Sequence, residues 1–182
     1  MKKIDKILVL LTIAVLMVLS FIIIRNKKNV ANNEEIDTVS SANSNIFSLG
    51  SDCSQVCWKY DGEENILDLD ENGWRFHDDS SVSINSVYSD DILNAISTVK
   101  ATRTIEAPSD LAEYGLDNPE IVITIISGDS TFTINVGIVS ALSGERYVSI
   151  GDGNVYLTDS RIYQAFAHHK DELTAVIEGE GE

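Results

Sequence analysis

The sequence is poor in positive charge. It contains 13 Lys and Arg residues against 29 Asp and Glu residues, which gives a formal net charge of −16. The first 28 residues carry +5, so the rest of the chain carries −21. Phosphate backbones and anionic lipid headgroups repel such a polyanion. We therefore expect no nucleic-acid partner and no domain that lies flat on a bilayer.

Cysteine occurs only twice, at Cys53 and Cys57, which excludes a disulfide-rich scaffold. Four positions along one straight strand separate Cα atoms by about 13 Å, whereas a disulfide spans at most about 7 Å. An oxidising exterior would allow the two thiols to pair only if the chain turned between them. Because the residues that follow resemble a strand, we favour two unpaired or strained cysteines.

Signatures of catalysis are missing. Ser143-Gly144 lacks the Gly-x-Ser-x-Gly elbow of hydrolases, and there is no glycine-rich phosphate loop. Histidine occurs only at His77, His168 and His169. We therefore predict that the protein is not an enzyme and has neither catalytic residues nor a cofactor. The alternative, a hydrolase built from carboxylates and His77, has no sequence motif behind it.

One long apolar run is present, from Ile7 to Ile24. Its 18 residues, at about 1.5 Å each, give about 27 Å of helix, close to the hydrocarbon thickness of a bilayer. The run exceeds the core of a cleavable signal peptide, and no small-x-small cleavage site follows it. Residues 1–25 are therefore predicted to be an uncleaved, single-pass membrane anchor.

Three basic residues flank this run on each side, so the charge bias for orientation is small. A short N-terminal arm is the easier one to retain, and long domains translocate largely regardless of their charge. We therefore predict a cell-membrane protein with its C-terminal domain outside the cytoplasm.

The chain after the anchor divides into three parts. Residues 26–46 are rich in Asn, Ser and Glu without a regular apolar period, so they are predicted to be a flexible tether. Residues 47–176 are predicted to be a soluble α+β domain of antiparallel hairpins with two helices. Residues 177–182 are predicted to be an acidic tail.

Short turns between apolar segments predict the hairpins. Asp61-Gly62, Asn72-Gly73 and two later glycine-containing turns each separate strand-like segments. The predicted strands are Val56–Tyr60, Ile66–Asp70, Trp74–Phe76, Ala101–Ala107, Ile121–Ile126, Phe132–Val136, Arg146–Ile150 and Asn154–Leu157.

Apolar residues at spacings of three and four predict the two helices. The first is capped by Ser89 or Asp90. Its apolar face comprises Ile92, Leu93, Ile96 and Val99. The second begins at Ser160, and its apolar face comprises Ile162, Ala165, Phe166 and Leu173.

Asp68, Asp70, Asn72 and Asp79 have the ligand spacing of a twelve-residue calcium loop. However, Asp79 stands where such loops carry a bidentate Glu, and the flanking segments are typical of strands instead of helices. A hairpin turn at Asn72-Gly73 explains the same residues, so we predict no metal site.

His168 and His169 also suggest a metal at first sight. Neighbouring helical side chains point about 100° apart and do not easily share one ion. We therefore interpret the two histidines as a solvent-facing pair at the end of the second helix.

Three aromatic residues on predicted strands, Trp58, Tyr147 and Tyr156, are candidates for a partner-binding surface. Strand alternation can place them on one outer face. Aromatic rings beside carboxylates suit a peptide, glycan or protein partner.

The segment Asp110–Pro119, Asp-Leu-Ala-Glu-Tyr-Gly-Leu-Asp-Asn-Pro, resembles a segment of the bacterial family called domain of unknown function 4340. The Gly73-Trp74 turn and the Ala101–Ile105 stretch also match, as do the short segments Arg146-Tyr147-Val148 and Val155-Tyr156 near the end. The resemblance covers roughly Phe47 to Leu173.

The resemblance implies a membrane-anchored extracytoplasmic protein, in a family with some members associated with ABC transporters of the gliding-motility type. It supplies no catalytic residues. Gly115 also has a structural interpretation, because a left-handed glycine ends a helical turn and Pro119 then directs the chain into a strand.

We therefore expect a membrane-anchored binding or accessory module without catalysis. Its expected partners are the membrane, through Ile7–Ile24, and a protein of the envelope such as an ABC transporter. The alternatives are the carboxylate-based hydrolase and a purely structural spacer domain.

Overall fold

The computed structural model describes residues 38–40, 43–71 and 73–174, with side chains from residue 43 onward. The predicted anchor Ile7–Ile24, most of the predicted tether and the predicted tail lie outside the described residues. Among the residues that are described, no helix has both the length and the apolar character needed to cross a bilayer.

The described residues form one large antiparallel sheet. Its ten strands are β1 (Thr38–Ser40), β2 (Ser44–Ser48), β3 (Cys53–Tyr60), β4 (Glu63–Asp70), β5 (Gly73–Phe76), β6 (Thr98–Glu106), β7 (Ile121–Ser127), β8 (Ser130–Val139), β9 (Arg146–Ser149) and β10 (Val155–Thr158). Their spatial order is β1-β6-β10-β9-β8-β7-β3-β4-β5, and β2 pairs with β6 beside β1. The predicted antiparallel α+β class is confirmed.

All the predicted hairpins are present. Strands β3, β4 and β5 form a meander, and β7–β8 and β9–β10 form two further hairpins. In β7 the residues alternate between buried and half-buried. The register pairs Ile123 with Ile134. Both side chains are fully buried, so the hairpin gives one apolar face to the core.

Three helices in the described residues complete the fold. They are α1 (Ser86–Ser97), α2 (Arg161–Phe166) and α3 (Lys170–Leu173). Buried Ile92 and Ile96 of α1 and buried Phe166 of α2 belong to the same apolar core as the inner side chains of β3 and β7. The helices therefore cover one face of the sheet.

Both predicted helices differ from the observed ones at their ends. The first is capped by Asn85, whose side chain accepts a hydrogen bond from Val87 N at 3.0 Å, and not by Ser89 or Asp90. Val99 lies in β6 and not in the helix, because the backbone becomes extended at Thr98. β-Branched residues such as Thr98 and Val99 also favour a strand.

The second predicted helix is broken. It ends at Phe166, and α3 begins four residues later, after an extended His169. Ile162, Phe166 and Leu173 are buried, as expected for an apolar face. The burial prediction is therefore confirmed for these three residues, although the segment between the two helices is not helical.

Strands begin before the predicted start of the domain at residue 47. Strand β1 and the first three residues of β2 lie within the segment predicted as tether, and both strands pair with β6. Partly buried Phe47 packs against the core, and its ring meets that of Phe132 edge-on at 5.3 Å. Two short, mostly polar strands carry too weak a period to be recognised in sequence, which explains the error.

A smaller apolar cluster lies on the other face of the sheet. Tyr147 and Val148 are neighbours in β9 and so point to opposite faces. Val148 belongs to the main core, whereas Tyr147 packs against a cluster that includes Tyr114 and Leu116. Gly115, which ends the short 3-10 helix Ala112–Tyr114, is left-handed as predicted, with φ of 66°.

Substitution of Ile123 by Asp is expected to unfold the domain. The side chain is fully buried. Its burial is worth about 1.5 to 3 kcal/mol, an unpaired buried carboxylate costs several more, and whole domains are stable by about 5 to 15 kcal/mol. Buried Trp58 and Trp74 make fluorescence a suitable readout, with a red shift expected in the full-length variant.

The matched control is Thr133→Asp, on the exposed part of neighbouring strand β8. It should change the free energy of unfolding by no more than about 0.5 kcal/mol. Normal, cooperative unfolding of Ile123→Asp would contradict the core assignment.

Candidate binding groove at one end of the sheet

An open groove of about 760 Å³ lies where β3 ends and β7 begins. The register pairs Tyr60 with Ile121, so the turn after β3 and the loop before β7 emerge side by side. The groove is lined by Lys59, Tyr60, Asp61, Gly62, Asn118, Pro119, Glu120 and Val122.

A tight turn forms one side of the groove. Asp61 and Gly62 have φ values of 46° and 83°. Positive φ at both central residues is the requirement of a type I′ hairpin turn, which Asp-Gly sequences favour. The Asp61 side chain is 78% exposed, and its carboxylate lies 3.9 Å from Nε2 of His169. The turn thus presents a carboxylate to solvent.

The guanidinium of Arg146 holds the opposite wall in place. Its Nη1 donates to Oε2 of Glu120 at 2.8 Å and to the carbonyl oxygen of Gly137 at 3.1 Å. Its central carbon lies 3.6 Å from the centre of the Tyr163 ring. A planar cation that stacks and donates two hydrogen bonds fixes β9, β8, α2 and the loop before β7 together.

Two tyrosines connect this wall to the turn. The rings of Tyr60 and Tyr163 meet edge-on with centroids 6.3 Å apart. A hydrogen bond with Tyr163 raises the pKa of Tyr60. Tyr60 therefore keeps its proton at neutral pH and borders the groove as an aromatic ring with a neutral hydroxyl.

A second, shallower depression of about 660 Å³ lies beside the groove. Its lining includes Glu63 of β4 and His169 and Lys170 at the start of α3. Nδ1 of His169 lies 2.8 Å from Oε2 of Glu63. This hydrogen bond raises the pKa of His169 and lowers that of Glu63, because both charged forms are stabilised.

The groove combines the exposed carboxylate of Asp61, an aromatic ring, a side-chain amide and a proline. None of its eight lining residues is Ser, Thr, Cys or His. These groups suit non-covalent recognition of a polar surface that carries amines or amides.

Comparison with known protein families identifies the family of the chain. The family described as domain of unknown function (DUF4340) matches residues 74–175, more than half of the sequence. The chain belongs to the DUF4340 family. No curated protein and no solved structure matches it. The matched segment contains the Asn118–Glu120 side of the groove but not the Asp61 side. It begins at residue 74, whereas the predicted resemblance begins at Phe47.

The DUF4340 domain does not present the predicted aromatic surface. Trp58 is fully buried and packs edge-on against Phe166 at 5.4 Å. Tyr156 is buried in β10, and its hydroxyl donates to Asp152. Strand alternation puts Trp58 on the face that the helices cover, and both faces of β10 are covered, so this prediction is wrong for both residues.

Tyr147, the third predicted aromatic, is partly buried. Its ring meets that of Tyr114 edge-on with centroids 5.0 Å apart. It lies in the smaller apolar cluster on the other face of the sheet. Its role in the structure is packing, and it does not line the groove.

The strands predicted on both sides of the Asn72-Gly73 turn are present. Asp68 and Asp70 lie in β4, which pairs with β5. Asp68 accepts a hydrogen bond from Gln55 at 2.7 Å and lies 2.6 Å from Nδ1 of His77. Asp79 accepts from the hydroxyl of Ser81 at 2.5 Å, so these carboxylates face protein partners.

Asn72, the remaining member of that set, lies outside the described residues. Within residues 43–71 and 73–174, no three or more His, Cys, Asp or Glu side chains are grouped so as to hold a metal ion.

The two adjacent histidines are not a helical pair, which corrects the predicted arrangement. Both lie in the link between α2 and α3. The ring of His168 meets that of Tyr88 of α1 edge-on with centroids 4.8 Å apart, whereas His169 faces Glu63 of β4. Their side chains are 26% and 42% exposed, so neither is fully solvent-facing.

Both cysteines are free, as favoured from the sequence. The register of β3 against β7 shifts between Cys53 and Gln55. This bulge places buried Cys53 on the core face, whereas Cys57 lies beside Glu64 on the open face. Desolvation by burial raises the pKa of both thiols.

Sequence reasoning missed most of the groove. It predicted the turn at Asp61-Gly62 and the break at Pro119 but gave neither a functional role. Nothing local connects the two segments, because their proximity depends on pairing between strands about sixty residues apart. The same applies to Arg146, whose partners come from three other parts of the chain.

Replacement of Arg146 by Met is expected to lower the free energy of unfolding by about 1 to 3 kcal/mol, because Glu120 and the Gly137 carbonyl lose their donor. Arg146→Lys should restore little of this, since an ammonium cannot stack on Tyr163 while donating to both oxygens. Denaturant unfolding of the full-length chain measures both variants. A cost below about 0.5 kcal/mol for Arg146→Met would show that the wall does not depend on this residue.

Proposed function

We propose that this DUF4340 protein is a membrane-tethered, extracytoplasmic binding module that serves as a non-catalytic accessory of an envelope complex. The apolar run Ile7–Ile24 supports the tether, since its length suits a bilayer. The partner is a protein of the envelope, and the family resemblance favours an ABC transporter.

The observation that carries the binding function is the groove. It is open, it is bordered by the exposed carboxylate of Asp61, and its other wall is fixed by Arg146 and Glu120. A preformed concave surface limits the entropy that binding costs, which is the usual reason why recognition sites are rigid.

Two alternatives have less support. A hydrolase would need a cleft that gathers His77 with buried acids. Instead, His77 is 57% exposed, and its partner Asp68 is 42% exposed. A pure spacer would need neither a groove nor exposed apolar side chains, and Leu142 is 96% exposed at the turn between β8 and β9.

The topology has a direct test. Protease added to intact, wall-stripped cells is expected to release a fragment that begins between Asn26 and Asp37, because this part of the predicted tether precedes strand β1. Gel analysis with an antibody against the C-terminal domain detects the fragment. A cytoplasmic protein serves as the control for cell integrity. Full protection of the domain in cells with an accessible outer face would reverse the orientation.

The groove also has a direct test. A photoreactive amino acid at exposed Asn118, in the groove, is expected to cross-link a membrane protein in cells. The matched control carries the same amino acid at exposed Asp129, at the opposite end of β7. Products from position 118 that are absent from position 129 would support the groove as the binding surface.

Mass spectrometry of the cross-linked products identifies the partner. Equal products from both positions, or products from position 129 alone, would contradict binding at the groove. Absence of any cross-link in cells that produce the folded protein at normal levels would favour the spacer alternative.

A further inference from the structure

One carboxylate fastens the link between α2 and α3 to the sheet. Oε2 of Glu63 lies 2.8 Å from Nδ1 of His169, and Oε1 accepts the backbone N–H of Lys170 at 3.1 Å. Glu63 is the first residue of β4, directly after the Asp61-Gly62 turn. The link is thus attached to the same hairpin that forms one side of the groove.

Acidic groups surround His169. The turn contributes Asp61, whose carboxylate lies 3.9 Å from Nε2, and β4 contributes Glu63. Helix α3 contributes Glu172, which accepts the backbone N–H of His169 at 2.9 Å. The ring of Tyr60, from β3, lies 5.6 Å from the imidazole. An imidazolium at this position is therefore stabilised from three sides.

The remaining charges near the link are engaged elsewhere. Nζ of Lys170 donates to Asp78, in the loop after β5, at 2.6 Å. His168 lies 3.5 Å from Glu172 within its own segment, and its ring meets that of Tyr88 of α1 edge-on. His169 is consequently the titratable cation that joins the link to the hairpin.

We propose that His169 and Glu63 form a proton-controlled latch between the link and the β3–β4 hairpin. The latch is tight while the imidazolium and the carboxylate are both charged. Loss of the proton from His169 removes the charge on the donor, so an ion pair becomes a hydrogen bond from a neutral imidazole to a carboxylate, and the attraction weakens. The link then moves away from Glu63 more often, and the Glu63 carboxylate becomes available beside the groove.

The direction of the pH dependence follows from the two pKa shifts. The pKa of His169 is raised in the folded protein, so its contribution is complete below the usual histidine pKa of about 6.5 and is lost as pH rises through the folded value. The pKa of Glu63 is lowered, so its contribution is complete above about 4.3 and is lost as pH falls through the folded value. The latch is therefore tightest between these limits.

The change affects the link and not the whole domain. Leu173 is fully buried, its carbonyl accepts the N–H of Asn85 at 2.8 Å, and Thr174 bridges to Ile84. These contacts keep α3 on the core. Because His169 and Glu63 are about 40% exposed, solvent weakens their attraction, and we expect a two- to fivefold change in the opening of the link.

Hydrogen exchange of the full-length chain at pH 5.5 and 8.0 tests the latch. After correction for intrinsic exchange, protection of the amides of residues 168–171 is expected to fall about two- to fivefold at the higher pH, relative to those of β3. The fall should disappear in His169→Gln and in Glu63→Gln. It should remain in His168→Gln, and also in His77→Gln, which breaks a similar His–Asp pair at 2.6 Å on another part of the sheet.

A fall that persists in His169→Gln, or that disappears in His168→Gln, would overturn the proposal. NMR titration of the imidazole gives a second, independent measurement. The midpoint for His169 should be higher in the wild-type chain than in Glu63→Gln, and equal midpoints would also overturn the latch.

Discussion

The pairing of β3 with β7 is the constraint on which the rest of the domain depends. It joins the N-terminal meander to the C-terminal hairpins, with Trp58 opposite Ile123 at its centre. Both residues are fully buried, and Trp58 carries the ring on which Phe166 of α2 packs. The same pairing brings Asp61 beside Pro119 and so creates the groove. Stability and the candidate site thus arise from one long-range contact.

Local patterns were sufficient for the hairpins and insufficient for the arrangement of strands. Asp61-Gly62 and the apolar run Ile121–Ile126 predict their turn and strand correctly, because the conformation at each depends on nearby residues. The edge strands β1 and β2 were missed, since they are stabilised by pairing with β6 and not by their own apolar period. The groove was missed for a related reason: Lys59–Gly62 and Asn118–Glu120 are neighbours only after β3 has found β7.

The aromatic residues show why residue type alone is a poor guide to a surface. Trp58 and Tyr147 both lie in strands, yet one is fully buried under α2 and the other packs on the opposite face against Tyr114. Whether a strand face is covered depends on where distant helices lie, and the sequence pattern of β3 or β9 carries no such information. The residue that does border the groove, Tyr60, is held there by Tyr163 of α2.

The acidic composition gives the few basic residues an architectural role. Arg146 fixes the wall of the groove through Glu120, and Lys170 fastens the start of α3 through Asp78. Each of these pairs joins segments that are distant in sequence. Without its basic partner, each acid would add repulsion to a strongly anionic domain. Asp61 differs, since its ion-pair partner is the imidazole of His169, 3.9 Å away, which is charged only while it is protonated. The charge at the edge of the groove therefore depends on the protonation of His169, whereas the wall on the Glu120 side is held by Arg146.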